Sequence, residues 1–274
     1  MLFVSLFLLL FLVLWLLFYA VGPLLSALLT KTAHFTTKLR YHDYLPVFVV
    51  LAIGIGLTAV AGDAFLDLAE RVHAEAPQLQ HVDYEVHEWA RTTRTNGSTF
   101  FFTTMTILGL PVTLGLLSLA VAALLFARGR WKRASYLLVT ISVGGLLNLE
   151  LKRYFARARP DLAEALRRAH GYSFPSGHAM GSTIVIGAFA YLAFRALHST
   201  RTRAAALALA VTIVAAIATS RIYLGVHWIS DVAAGIAAGS IWVTTSTVAY
   251  ETFRRIGKVR GMRAAHDEKQ DAAG

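Results

Sequence analysis

Apolar residues fall in long runs separated by short polar stretches, and these runs set the first expectation. Seven are long enough to matter: residues 2–29, 44–68, 100–127, 134–151, 179–197, 204–219 and 229–250. About 20 apolar residues cross a bilayer core as a helix, and a helix satisfies its own backbone inside lipid. The pattern therefore predicts an all-α, polytopic membrane bundle. Nothing alternates with the period of two that marks a strand. The first run is broken only by Gly22, Pro23 and Ser26, has no basic segment ahead of it, and is long for a signal peptide. It is read as a retained helix. The expected organisation is an extra N-terminal span over residues 1–30, a six-helix core over 44–253, and a polar, mobile tail over 254–274. Pro111 lies inside the third run and predicts a kink.

The polar stretches orient the bundle. Lys31, Lys38 and Arg40 follow the first run, and Arg128, Arg130, Lys132 and Arg133 follow the third. Arg201 and Arg203 follow the fifth, and Arg254, Arg255, Lys258 and Arg260 follow the last. On an alternating path all four clusters share one side, which the positive-inside rule makes cytoplasmic. Residues 69–97 then lie outside; they are mixed in charge and are expected to form short helices on the membrane surface. One stretch breaks the rule: Lys152, Arg153, Arg157, Arg159, Arg167 and Arg168 sit on the outer side, with only Glu150, Asp161 and Glu164 nearby. A basic cluster on the wrong side calls for a local cause, either lipid headgroups or an anionic ligand.

Composition narrows the classes. The chain has 274 residues, 56% hydrophobic and only 15% charged, with a mean hydropathy of +0.57. Soluble domains carry roughly a quarter charged residues. The formal charge of +10 has no soluble basic domain to hold it, so nucleic acid is not an expected partner. The absence of cysteine excludes disulfides, thiolate metal sites and cysteine nucleophiles.

Three segments at outer span ends carry candidate chemistry. The first runs from Lys152 to Arg159 and Pro160; lysine offers a compact cation and arginine a planar fork for two phosphate oxygens. The second is Phe174, Pro175, Ser176, Gly177 and His178, leading into a span, with Ser176 as the expected N-cap. Gly177 permits close backbone approach, and the first-turn N–H groups attract an anion. The third contains Ser220, Arg221, Gly225, His227 and Asp231. His227 and Asp231, four residues apart, share one helical face, so the carboxylate can fix the imidazole tautomer. Each segment alone also fits a plain structural role: snorkelling cations, a capped helix, a buried ion pair. Together they supply cations, a helix N-terminus and two histidines, the set that phosphoryl transfer uses. No carboxylate cluster for magnesium or zinc accompanies them, so no metal or other cofactor is expected.

These segments match KX6RP, PSGH and SRX5HX3D motifs, complete and in order within about 80 residues. The chain thereby resembles the type 2 phosphatidic acid phosphatase superfamily, which includes bacterial phosphatidylglycerophosphate and undecaprenyl diphosphate phosphatases. The resemblance implies a multi-pass enzyme of the bacterial inner membrane acting on a lipid phosphate at the extracytoplasmic face. It implies His227 as nucleophile, Asp231 orienting it, and His178 as acid for the leaving oxygen. Lys152, Arg159, Ser176, Gly177 and Arg221 would hold the phosphate. Membrane members typically show six spans, so the first run is a departure. Arg153, Arg157, Arg167 and Arg168 lie outside the motif positions and are assigned only substrate attraction. Phosphotransfer to a second lipid, or transport of a phospholipid or phosphate, remain alternatives. Phosphatidylglycerophosphate, phosphatidic acid and undecaprenyl diphosphate stay open as substrates, as does the oligomeric state.

Overall fold

The computed structural model describes residues 5–19, 45–160 and 165–271, and their regular structure is entirely helical. In chain order the helices are α1 (Ser5–Tyr19), α2 (Leu45–His73), α3 (Pro77–Thr92), α4 (Asn96–Leu108), α5 (Pro111–Ala127), α6 (Trp131–Phe155), α7 (Gly177–Ala196), α8 (Thr200–Tyr223) and α9 (Ile229–Asp271). Five of them (α2, α6, α7, α8 and α9) are long and apolar enough to cross a membrane. The pair α4 and α5, bent by 51°, supplies a sixth. Gly109 and Leu110 sit at that bend, and Pro111, which lacks the N–H to continue α4, opens α5. The expected kink is therefore a break. Of the expected first span, α1 is helical, and the rest lies outside the described residues. The backbone of α9 continues to Asp271, so the described part of the expected tail is helical.

Burial sorts the helices into an inner and an outer set. Only 6% of the apolar window of α2 is buried within the protein, against 44% for α7 and 39% for α8. Large apolar side chains such as Ile55, Val60, Leu116 and Leu146 face outward on α2, α5 and α6, as lipid contact requires. α7 lies at the centre, packed on α6, α8 and α9, while α2 covers α9 and α4 covers α8. Close approach of α7 and α9 depends on glycine. A Cβ on Gly235 would stand 2.7 Å from the Ser176 carbonyl oxygen, and one on Gly239 2.8 Å from Thr183 Cβ. Small residues spaced by four are how helices meet backbone to backbone in lipid.

The bundle has two distinct ends. The site end gathers the C-termini of α2, α6 and α8 and the N-termini of α4, α7 and α9. There Thr95 caps α4 in a reciprocal box with Ser98, and Tyr223 Oη joins Ser98 Oγ at 2.6 Å, tying α4 to the end of α8. α3 lies at this end against α8 and α9, with Asp83, His87 and Ala90 turned inward. The far end carries Arg128, Arg130, Lys132, Arg133, Arg201 and Arg203 at helix termini. α1 runs between the ends: Phe7 packs on Phe101 and Phe102, and Trp15 Nε1 donates to the Arg201 carbonyl at 3.2 Å.

Candidate active site

The third motif folds as a helix end, a tight turn and a helix start. α8 stops at Tyr223, and Gly225 takes a φ of +75°, which L side chains rarely adopt. The chain then delivers His227 just ahead of α9. Asp231 lies in the first turn of α9, where a negative charge faces the positive end of the helix. Its Oδ2 accepts the backbone N–H of Trp228 at 3.0 Å and His227 Nδ1 at 3.2 Å. Both side chains are buried, at 2% and 0% exposure. With Nδ1–H directed at a carboxylate, the Nε2 lone pair faces outward. Arg159 Nη1 donates to that nitrogen at 3.1 Å.

The first motif ends α6. Ala156 adopts a left-handed φ of 43°, and the chain runs extended through Arg159 to Pro160. Lys152, on the last turn of α6, donates from Nζ to the carbonyls of Tyr172 (2.9 Å) and Ser173 (3.3 Å). Arg159 is anchored by the carbonyls of Gly171 (2.9 Å) and Val226 (2.8 Å). The second motif enters α7 between Phe174, wedged against Phe65 and Phe155, and the Ser176 N–H, which donates to the Asp231 carbonyl at 2.9 Å. Ser176 holds the N-cap position, but its hydroxyl makes no capping bond, contrary to expectation. Gly177 opens the helix beside Asn148 and Lys152, where a Cβ would stand 3.1 Å from Asn148 Oδ1.

All the expected site residues thus meet at one end of the bundle. Three polar atoms there are buried with no partner among the described residues: Ser176 Oγ, His178 Nε2 and Arg221 Nε. Buried polar atoms nearly always find a partner, so three together describe a place made for one. Arg221 is 6% exposed and is held through Nη1 by Thr106 Oγ1 of α4, a residue the sequence did not single out. Burial, then the charges of Arg159, Arg221 and Lys152, hold His227 well below the usual imidazole value. It is therefore neutral at neutral pH, the form in which Nε2 carries a free electron pair. Burial also lowers Arg159, with Asp231 opposing, and an arginine remains charged throughout.

Two further side chains join this set. Arg157, expected to attract substrate, instead turns inward to Asp231 Oδ1 and Asp83 Oδ2, each at 2.7 Å. Asp83 was legible only as one of several acids in the outer loop. Arg153, by contrast, is exposed and pairs with Glu150, and Arg167 and Arg168 are exposed.

The sequence pattern of the PAP2 superfamily matches residues 133–255, which hold all three motifs. Phosphatidylglycerophosphatase B of Bacillus subtilis is 32% identical over 177 residues, 64% of this chain and 85% of that protein. The chain belongs to the PAP2 superfamily. Lipid A 1-phosphatase of Rhizobium etli, another PAP2 relative, is 35% identical over 125 residues, 42% of this chain and 50% of that one. Decaprenylphosphoryl-5-phosphoribose phosphatase of Mycobacterium tuberculosis is 41% identical over 96 residues, 33% of this chain and 46% of that one. The crystal structure of a transmembrane PAP2 type phosphatidylglycerolphosphate phosphatase from Bacillus subtilis superposes with a TM-score of 0.64. The sequences are 29% identical there, and the match covers 69% of this chain and 94% of that one.

Proposed function

We propose that this PAP2 membrane protein hydrolyses a lipid phosphate through a phosphohistidine on His227 Nε2, without a metal ion. The observation that carries the reading is the buried His227 itself. Its Nδ1 faces Asp231, and its Nε2 faces Arg159, beside unpaired donors on Ser176, His178 and Arg221. In the first step Nε2 attacks phosphorus and the bond from phosphorus to the lipid oxygen breaks. His178 gives that oxygen its proton, and Asp231 balances the positive imidazole. In the second step water attacks phosphorus, with His178 taking a proton, and the N–P bond returns its electrons to His227. Lys152, Arg159 and Arg221 hold the equatorial oxygens and supply the charge that a metal would otherwise bring.

Similarity to phosphatidylglycerophosphatase B favours phosphatidylglycerophosphate as substrate, with phosphatidic acid and undecaprenyl diphosphate as the alternatives to compare. The cationic far end supports an inner-membrane orientation with the site end extracytoplasmic. A lipid with its tail in the bilayer and its phosphate at the interface meets the site at this depth. The test is phosphate release from these three lipids by detergent-solubilised protein in EDTA. Wild-type activity that survives chelation and is lost in His227→Ala supports the reading. Undiminished release by a folded His227→Ala protein overturns it.

A further inference from the structure

We propose that Arg157 is a positioning residue for the nucleophile, held in its working orientation by Asp83 of the outer helix α3 and by Ser230 of α9. The proposal rests on the reading of His227 as the attacking group. Arg157 is 16% exposed, and the two carboxylates it joins are 2% and 0% exposed, so this is an interior network. Arg157 Nη1 donates to Asp231 Oδ1 and Ser230 Oγ, both at 2.7 Å, while Nη2 donates to Asp83 Oδ2 at 2.7 Å. Asp83 is fixed in turn: its Oδ1 accepts the Ser230 N–H at 3.0 Å, and its Oδ2 accepts Ser230 Oγ at 2.7 Å. Both terminal nitrogens of Arg157 are thus committed to protein partners.

The arrangement acts on His227 through Asp231. Arg157 pins Oδ1, and the carboxylate therefore presents Oδ2 to His227 Nδ1 and cannot rotate away. A planar guanidinium makes this link with two separate N–H directions, which an ammonium cannot reproduce. Asp83 also divides the cation's charge. Two carboxylates share one guanidinium, so Asp231 keeps the negative character needed to offset a phosphorylated, positively charged imidazole. The same helix braces the neighbouring residue, since the His87 ring lies 5.6 Å from that of Trp228. α3 thus grips the His227 segment from two positions one turn apart.

The experiment compares kcat and KM of full-length protein in detergent for Arg157→Gln, Arg157→Lys, Asp83→Asn, Ser230→Ala and the Arg157→Gln/Asp83→Asn pair, beside Arg128→Gln at the far end. Loss of a partner that orients a metal-ligating histidine typically costs ~10–100-fold, and by analogy the same scale applies to a partner that orients a reacting one. We expect that fall in kcat for Arg157→Gln with KM within about twofold, since transition-state alignment and not ground-state binding is lost. Arg157→Lys recovers part of it, Asp83→Asn and Ser230→Ala fall less, and the double variant is no slower than Arg157→Gln alone. Arg128→Gln, altering an exposed side chain away from the site, retains both constants. A folded Arg157→Gln protein with wild-type kcat overturns the proposal, as does a loss confined to KM. If Arg157→Gln does not fold, Arg157→Lys and Ser230→Ala decide, and wild-type kcat in both is fatal. His227→Ala in the same series separates the two claims. Activity there defeats the nucleophile reading, whereas an inactive His227→Ala beside an unimpaired Arg157→Gln defeats the positioning role alone.

Discussion

The two ends of the bundle each hold a buried carboxylate among arginines, yet they leave their surplus charge in different surroundings. At the far end Glu251, 5% exposed, accepts Tyr191 Oη at 2.5 Å and is ringed by Arg195, Arg254 and Arg255. Those arginines are about one-third exposed (31–32%), so their surplus charge meets water or headgroups. At the site end the cations also outnumber the acids, but Arg221 is buried and its Nε has no partner among the described residues. The count of charges is similar; the fate of the surplus differs. An exposed surplus is a solvated belt, whereas a buried surplus with unpaired donors needs an anion to complete it.

Substitutions at each end sharpen that contrast. The largest effect is expected from Arg221→Gln, which removes a buried donor that the proposed function assigns to the phosphate. By analogy with the loss of one preorganised oxyanion donor, kcat for lipid phosphate release should fall on the order of 10²–10³-fold. Ser176→Ala deletes a hydroxyl without disturbing a helix cap, because none is made; a fall of about tenfold in kcat/KM with unchanged melting temperature is the expected result. A loss of stability instead would mean the hydroxyl serves the fold. The pH profile comes next. Since burial and neighbouring cations disfavour protonation of His227, the acid limb of kcat/KM that belongs to it lies below the ordinary value of 6.5. Arg159→Gln removes one of those like charges and should move the limb upward, a difference to which the substrate's own titration does not contribute. The smallest effect on catalysis is expected at the far end. Glu251→Gln should leave kcat per folded molecule unchanged while lowering stability by about 1–2 kcal/mol, discounted for the partial exposure of its arginines. A catalytic defect in that variant would erase the distinction between the two ends.

The candidate site residues were legible because phosphate recognition would use distinctive side chains at fixed local spacing. His227 with Asp231, and Ser176 with His178, are short-range patterns, and the structure brings them together with Lys152, Arg159 and Arg221. Asp83 was not legible. It contacts Arg157 across 74 positions, and nothing local separates it from Glu85 or Glu88 on the same helix. Its inward face is readable afterwards in the spacing of Asp83, His87 and Ala90, a helical stripe of mixed chemistry that an apolar template passes over. The fold was equally legible where apolar length decides. It was less so at the C-terminus, where a polar composition rich in arginine and alanine favours a solvated helix as readily as a coil.

The Ser176 N–H bonds the Asp231 carbonyl, and this single link joins the start of α7 to the start of the last span. A chain emerging from the ribosome carries Lys152 and His178 well ahead of His227 and Asp231. Until α9 is seated, the half-built protein lacks both the His227–Asp231 pair and the backbone acceptor for the Ser176 N–H. A chain stopped before the last span therefore holds the cations of this end without the pair they surround.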